Sequence, residues 1–120
     1  FAALYPLTQL YQLEEDTRRG DRTLAIMLGI RRSLNVALCA AGAAFVLFAG
    51  AALRSSWAPG VASAWRWSVL GLALVAWAAV LLPWRRSAER LGPAEHQRRM
   101  YLALGAWAIT DAAVLLAWGV

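Results

Sequence analysis

The chain has 120 residues, of which 61% are hydrophobic and only 16% carry a charge, and its mean hydropathy is +0.51. This composition excludes an ordinary soluble domain, because too few polar side chains remain to cover a folded surface. The net charge of +5 comes from 12 basic residues, all arginine. They lie between apolar stretches instead of along one face, so a membrane protein is predicted and a nucleic-acid partner is not.

The first predicted element is residues 1–13, an apolar segment that is too short to cross a bilayer, since a spanning helix needs about 20 residues. It begins with Phe1 instead of Met, and no basic segment precedes it, which disfavours a signal peptide. We expect residues 1–13 to be the end of a transmembrane helix whose beginning lies upstream. The chain is therefore interpreted as a C-terminal fragment.

The second predicted element, residues 14–33, is a loop at the membrane edge. Within it, nine consecutive positions carry seven charges, four acidic and three basic. One explanation is a solvated helix end stabilised by ion pairs between side chains four residues apart, Glu14 with Arg18 and Glu15 with Arg19. Such a helix end would need no ligand.

A metal and phosphate site is the second explanation for these charges. If the helix continues through Asp16, its period of about 3.6 residues places Gln12, Glu15 and Asp16 on one side. Glu14 is then turned away. Carboxylate and amide oxygens suit Mg²⁺, which prefers one or two carboxylates together with substrate phosphates, and adjacent arginines would neutralise a leaving diphosphate. On this interpretation Glu15 and Asp16 are the catalytic carboxylates, Gln12, Glu15 and Asp16 are the metal ligands, and Arg18, Arg19 and Arg22 bind the diphosphate.

Gly20 is predicted to form a turn within the charged stretch, residues 14–22, because glycine adopts the left-handed conformation that a tight turn needs. Asp21 or Thr23 then caps the next helix, since both side chains accept hydrogen bonds from the N–H groups of a helix start. These signals separate the charged stretch from the apolar run that follows.

Three apolar runs follow, at residues 34–53, 67–84 and 100–120, and each is long enough for one transmembrane helix. The predicted fold class is therefore an all-α integral membrane bundle with three complete transmembrane helices, preceded by the end of another. Small residues in these runs, such as Ala41 and Gly71, would let helices approach closely. A general preference for alanine in the composition is the alternative explanation.

The segment between the second and third runs predicts a helix extension to Leu91, a break at residues 92–93 and a new helix with the proline in its first turn. Within this segment we expect an ion pair between Arg85 and Glu89, which lie four residues apart on one helix face. His96 is predicted to be solvated, because no second histidine or cysteine can join it as a metal ligand.

The arginines also predict the topology. Five precede the first run, two lie between the first and second runs, and five lie between the second and third. Because cytoplasmic loops are enriched in basic residues, the first and third segments are predicted to face the cytoplasm of a bacterial inner membrane, with the middle loop and the C-terminus outside. The tryptophans predicted to lie in interfacial aromatic belts are Trp57, Trp65, Trp67, Trp84 and Trp118.

Asp111 is the single charge in the third run and lies near its middle. A charged aspartate there costs about 2.5 to 3.5 kcal/mol on insertion scales, so Asp111 must contact protein or be protonated. We expect a structural hydrogen bond to a neighbouring helix, with Thr110 or Asn35 as partner. A role as proton carrier is the alternative.

The charged stretch resembles a motif of a known family. Residues 13–25, LEEDTRRGDRTLA, with Leu28 and Gly29 after them, are similar to the second aspartate-rich motif of the UbiA superfamily of intramembrane prenyltransferases. In that family the motif lies on a cytoplasmic loop and three helices follow it. The three apolar runs and their predicted orientation agree with this order.

The resemblance implies a Mg²⁺-dependent enzyme that transfers a prenyl group from a prenyl diphosphate to a lipophilic or aromatic acceptor. Upstream helices of the same protein would supply the other half of the site, so this fragment alone would be inactive. Tyr5 or Tyr11 could stabilise the carbocation-like prenyl group through cation–π contact, although interfacial anchoring is the simpler role for both tyrosines.

Position by position, Asp16 matches the second aspartate of the family motif, which is a ligand of the Mg²⁺–diphosphate complex. Two positions depart from the motif: Gln12 stands in place of the first aspartate and Asp21 in place of a lysine. Glu15 lies close enough to replace the missing carboxylate. The residues that match the string after the second aspartate are Gly20, Arg22, Thr23 and Leu24.

The alternative function is a noncatalytic multi-span membrane protein whose basic cytoplasmic loops bind anionic membrane lipid or a partner subunit. Each arginine near a charged surface contributes about 1 kcal/mol to such binding. This alternative explains the arginines. It does not explain the four carboxylates of the charged stretch, which anionic lipid would repel.

Overall fold

The computed structural model describes residues 1–54 and 61–119. Across these two ranges the secondary structure is helical and no strand is present, which confirms the predicted all-α class. The helices are α1 (Leu4–Leu10), α2 (Leu13–Arg19), α3 (Leu24–Leu28), α4 (Ile30–Arg54), α5 (Val61–Ser87) and α6 (Pro93–Gly119), with a short 3-10 turn at Ala88–Arg90.

Three of the helices, α4, α5 and α6, are long and apolar enough to cross a membrane. They contain 25, 27 and 27 residues. At a rise of about 1.5 Å per residue, each is roughly 38 to 40 Å long and exceeds the hydrocarbon core of a bilayer, which is about 30 Å thick. The helices are longer than the predicted uncharged runs because they include charged flanking turns.

Small side chains form the buried side of α6, which packs along α5. Its buried positions recur every three or four residues, the spacing of a helix that packs against a neighbour along its whole length. Alanines at such positions let helix backbones approach closely in lipid. The buried residues are His96, Met100, Ala103, Ala106, Thr110, Ala113 and Ala117.

The small residues singled out from the sequence divide into two groups. Ala41 on α4 and Ala73 on α5 are buried, whereas Gly42 and Gly71 are exposed. Ala43, in the same run as Ala41, is exposed, so close packing is confirmed for Ala41 and Ala73 but not for all the small residues.

The short helix α1 packs against α4 and α6. Leu7 of α1 and Leu34 of α4 are completely buried in the same apolar core. Because α1 ends at Leu10 and α2 begins at Leu13, one helix does not run through Asp16, and the condition for placing Gln12, Glu15 and Asp16 on one side by periodicity is not met. The interruption is mild, since the backbone N–H of Asp16 still donates to the carbonyl of Gln12 at 2.8 Å.

Two polar contacts join the start of α4 to the end of α5. Arg85 Nε donates a hydrogen bond to Asn35 Oδ1 at 2.5 Å, and Glu89 pairs with Arg31 at 3.6 Å. The predicted ion pair between Arg85 and Glu89 is therefore wrong. The α-helix ends at Ser87, so the geometry that brings residues four apart together is lost, and both side chains reach α4 instead.

Trp84 and His96 lie inside the bundle. Trp84 is completely buried and donates a hydrogen bond from Nε1 to His96 Nδ1 at 2.9 Å. His96 is only 3% exposed, so the predictions of a solvated histidine and of an interfacial Trp84 are wrong. After the break at residues 92–93, α6 turns back along α5 and brings its first turn against Trp84.

The other belt tryptophans have mixed environments. Trp65 and Trp118 are partly exposed, as an interfacial side chain would be, and Trp67 is half-buried. Trp57 lies outside the described residues.

The two partners predicted for Asp111 are engaged elsewhere. The Thr110 hydroxyl accepts a hydrogen bond from Trp77 Nε1 at 2.9 Å and donates to the Ala106 carbonyl at 2.8 Å. Asn35 is bound to Arg85 near the other end of the bundle. The expected hydrogen bond from Asp111 to Thr110 or Asn35 is therefore wrong.

Candidate functional site

The predicted site residues lie on the turn between α1 and α2, on α2 itself and on the linker to α3. The sequence of α2 suits a short isolated helix, because acidic side chains occupy its first turn and basic side chains its last turn. This order complements the partial charges of the helix ends. The helix therefore holds its carboxylates and guanidinium groups at defined positions next to the membrane-spanning bundle.

Gly20 ends α2 in the left-handed conformation, with φ 78°, as predicted. Its backbone N–H donates to the Thr17 carbonyl at 3.2 Å, and the N–H of Asp21 donates to the Asp16 carbonyl at 2.9 Å. This pair of bonds is the Schellman arrangement, in which glycine avoids the steric penalty of a positive φ. Residues 14–22, which we call the motif segment, therefore reverse direction directly after Arg19, the last residue of α2.

Two side chains fix the start of α3. Thr23 Oγ1 accepts a hydrogen bond from the N–H of Ile26 at 3.4 Å, so Thr23 is the cap and Asp21 is not. Gln9 of α1 accepts another from the N–H of Ala25 at 3.1 Å. Sequence analysis missed the second bond because its partners are 16 residues apart. The motif segment is thus tied back to α1.

Arg19 is the centre of an acidic cluster. Its guanidinium lies 3.7 Å from Glu15, 3.8 Å from Asp16 and 3.9 Å from Asp21. The predicted pair of Glu15 with Arg19 is therefore present, and two further carboxylates share the same cation. Glu14 and Arg18 are both exposed.

The carboxylates of this cluster differ in burial. The Asp16 side chain is 8% exposed, whereas that of Glu15 is 60% exposed. A buried carboxylate is stable only with a cation or hydrogen-bond donors beside it. Arg19 therefore supports Asp16, while Glu15 is accessible to a ligand.

A cleft of about 480 Å³ separates α2 from the first turns of α6. Of the predicted site residues, Gln12, Glu15 and Arg19 line it, and Asp16, Arg18 and Arg22 do not. We call it the motif cleft. Its lining residues are Tyr11, Gln12, Glu15, Arg19, Pro93, Ala94 and Gln97.

The α6 side of the motif cleft was not predicted. Gln97 faces the charged stretch although it is about 80 residues away in the sequence. No local pattern marks Gln97, which looks like any polar residue near the start of a helix. Only the return of α6 past α2 brings the two segments together.

The motif cleft offers two oxygen donors, fewer than a metal ion held by protein side chains alone needs. In the described part of the chain, no three His, Cys, Asp or Glu side chains converge into a complete metal site. Glu15 offers a carboxylate, and Gln12 uses its amide N–H for the Tyr11 hydroxyl at 3.1 Å, which leaves its carbonyl oxygen as an acceptor. Two such oxygens suit Mg²⁺ only when phosphates and waters complete its coordination.

In comparisons with protein-family models, with curated proteins and with solved structures, nothing matched this chain. The chemistry of the motif cleft therefore carries the functional argument.

Proposed function

We propose that this chain forms part of an intramembrane prenyltransferase, which moves a prenyl group from its diphosphate to a lipophilic or aromatic acceptor. The observation that carries the proposal is the motif cleft, in which Gln12, Glu15 and Arg19 meet at one end of three membrane-spanning helices. The similarity of residues 13–25 to the UbiA motif supports the same function. It also implies that a second motif from other helices completes the site.

The charge of the motif segment favours a divalent cation. Four carboxylates and three arginines between residues 14 and 22 give −4 + 3 = −1, so the segment does not attract a diphosphate by itself. Glu15 and Gln12, with Asp16 behind them, would hold Mg²⁺ at the motif cleft. Bound there, Mg²⁺ would supply neutralisation of the negative charge that develops on the diphosphate as its bond to carbon breaks.

The three arginines of the motif segment would bind the diphosphate from different positions. Arg19 lines the motif cleft, with three carboxylates within 4 Å of its guanidinium. Its planar fork of N–H donors would bind a phosphate there. Arg18 and Arg22 are exposed and would add their hydrogen bonds from outside the cleft.

Tyr11 is the better placed of the two tyrosines to stabilise a prenyl cation. It lines the motif cleft, whereas Tyr5 is exposed on α1 and does not line it. The face of an aromatic ring attracts a positive charge. Three apolar helices beside the cleft would give a prenyl chain direct access from the bilayer.

The test compares Glu15→Gln and Asp16→Asn with Glu14→Gln in the full-length protein. All three changes remove one negative charge from α2 with almost no change in shape, but Glu14 neither lines the motif cleft, as Glu15 does, nor pairs with Arg19, as Glu15 and Asp16 do. We expect the first two to lower Mg²⁺-dependent prenyl transfer on the order of 10²-fold or more, and Glu14→Gln to retain activity. The apparent affinity for Mg²⁺ should fall in parallel, while thermal unfolding in detergent stays unchanged.

Full activity in both Glu15→Gln and Asp16→Asn would overturn the proposal. The noncatalytic alternative would then be favoured, in which basic residues hold anionic lipid. A separate groove of about 320 Å³ near the start of α6 would be its candidate site, because Arg98 and Arg99 line it together with the apolar Leu91.

A further inference from the structure

A second cleft lies within the membrane-spanning part of the bundle, between residues 1–3, which precede α1, and helices α4, α5 and α6. Its volume is about 140 Å³. One carboxylate and five aromatic rings define its chemistry, and we call it the aromatic cleft. These residues are Phe1, Phe45, Phe48, Trp77, Trp107 and Asp111.

Asp111 is the carboxylate that lines the aromatic cleft. It is exposed, and no hydrogen bond or ion pair to it is found among residues 1–54 and 61–119. The neighbouring Thr110 hydroxyl accepts a hydrogen bond from Trp77 and donates one to the Ala106 carbonyl. An ionised aspartate at this position of a membrane helix is stable only when it faces a cation, a donor or a polar cavity.

The aromatic rings supply a second element of cation recognition. Phe1 and Trp107 meet edge to face, with ring centroids 6.4 Å apart, and Phe45 and Phe48 do the same at 5.8 Å. The negative face of such a ring attracts organic cations, and sites for substituted ammonium groups are commonly built from several rings. A carboxylate beside several aromatic rings is therefore suited to an ammonium group.

The size of the aromatic cleft limits the occupant. A cavity of about 150 Å³ holds a benzene molecule, so this cleft admits the compact ammonium group of a ligand, while the rest of the ligand lies outside it. It is too small for a helix. Asp111 lies about 12 Å along α6 from its end at Gly119, so an occupant must be lipophilic enough to reach that depth.

We propose that the aromatic cleft binds the ammonium group of a lipophilic organic cation. Asp111 acts as the counter-ion, and the Phe and Trp rings surround the cationic carbon groups. This site is independent of the proposed prenyl transfer, since Asp111 lies about 21 Å along α6 from Gln97 of the motif cleft.

The test uses the full-length protein in nanodiscs of zwitterionic lipid. The probe is benzyltrimethylammonium, and its neutral counterpart is neopentylbenzene, which has the same shape with carbon in place of nitrogen. Binding is followed by tryptophan fluorescence, because Trp77 and Trp107 line the aromatic cleft. We expect saturable binding of the cation and at least tenfold weaker binding of the neutral compound.

Three variants assign the binding to Asp111. Asp111→Asn should weaken binding of the cation at least tenfold with an unchanged unfolding temperature, and Asp111→Glu should restore most of it. Glu95→Gln removes a carboxylate from the other end of α6 and should leave binding unchanged.

The proposal is overturned if the cation and its neutral counterpart bind equally well, or if Asp111→Asn binds the cation as tightly as the wild type. Absence of saturable cation binding overturns it as well.

Discussion

At the residue scale, the hydrogen bond between Trp84 and His96 fixes the state of the imidazole. Because Nδ1 of His96 accepts the indole N–H at 2.9 Å, the ring proton is assigned to Nε2. Nε2 is buried, and the backbone carbonyls of Ala88 and Leu91 lie beside the ring. The hydrogen bond from Trp84 therefore decides which nitrogen of the imidazole carries the proton.

We expect Trp84→Phe to destabilise the protein by about 1 to 3 kcal/mol, because it leaves Nδ1 of His96 buried without its donor. Combining it with His96→Leu removes every polar atom of the pair. The double variant should be more stable than Trp84→Phe alone. Thermal unfolding in detergent, followed by circular dichroism, measures both effects, and an unfolding temperature of Trp84→Phe equal to that of the wild type would contradict this account.

At the element scale, the buried alanines of α6 set its distance from the neighbouring helices. Ala103 is completely buried, whereas Ala108, on the same helix, is exposed. In a membrane both faces of a helix are apolar, so side-chain size distinguishes the packed face better than polarity does. This is why hydropathy alone did not identify the packed face.

Ala103→Leu should therefore destabilise the bundle by about 1 to 3 kcal/mol, because three additional carbon atoms enter a filled contact. Ala108→Leu adds the same atoms on the exposed face and should be tolerated. The unfolding temperatures of the two variants in detergent give the comparison. Equal losses in both would mean that the change acts through α6 itself and not through its packing.

At the scale of the whole molecule, the two arginine-rich segments lie at the same end of the bundle. The contacts of Asn35 with Arg85 and of Arg31 with Glu89 bring the start of α4 to the end of α5. The motif cleft joins α2 to the start of α6 at this end. The side of the membrane that this end faces stays a prediction, which depends on the arginine count.

We predict that this end faces the cytoplasm. A reporter that is active only outside the membrane should stay inactive when fused after Glu95 and become active when fused after Ser56. Ser56 lies in the middle loop, outside the described residues. The reverse pattern would contradict the predicted topology. It would also contradict the prediction that the motif cleft faces the cytoplasm.

The sequence by itself determined the fold class, the three membrane-spanning helices and the local caps. Apolar runs of 18 residues or more have few alternatives to a helix in lipid, because every backbone polar group must be satisfied within the segment. The turn at Gly20, the cap at Thr23 and the helix start at Pro93 were also predictable, since each depends on a few adjacent residues. Local chemistry is sufficient for these features.

Only the tertiary structure decided the neighbours of the polar side chains. His96 was expected in solvent but is buried against Trp84, and Arg85 was expected beside Glu89 but binds Asn35, 50 residues away. Gln97, which lines the motif cleft, is another polar residue whose neighbours the sequence did not predict. Such contacts depend on how the helices return past one another, and no local pattern of residues encodes that geometry.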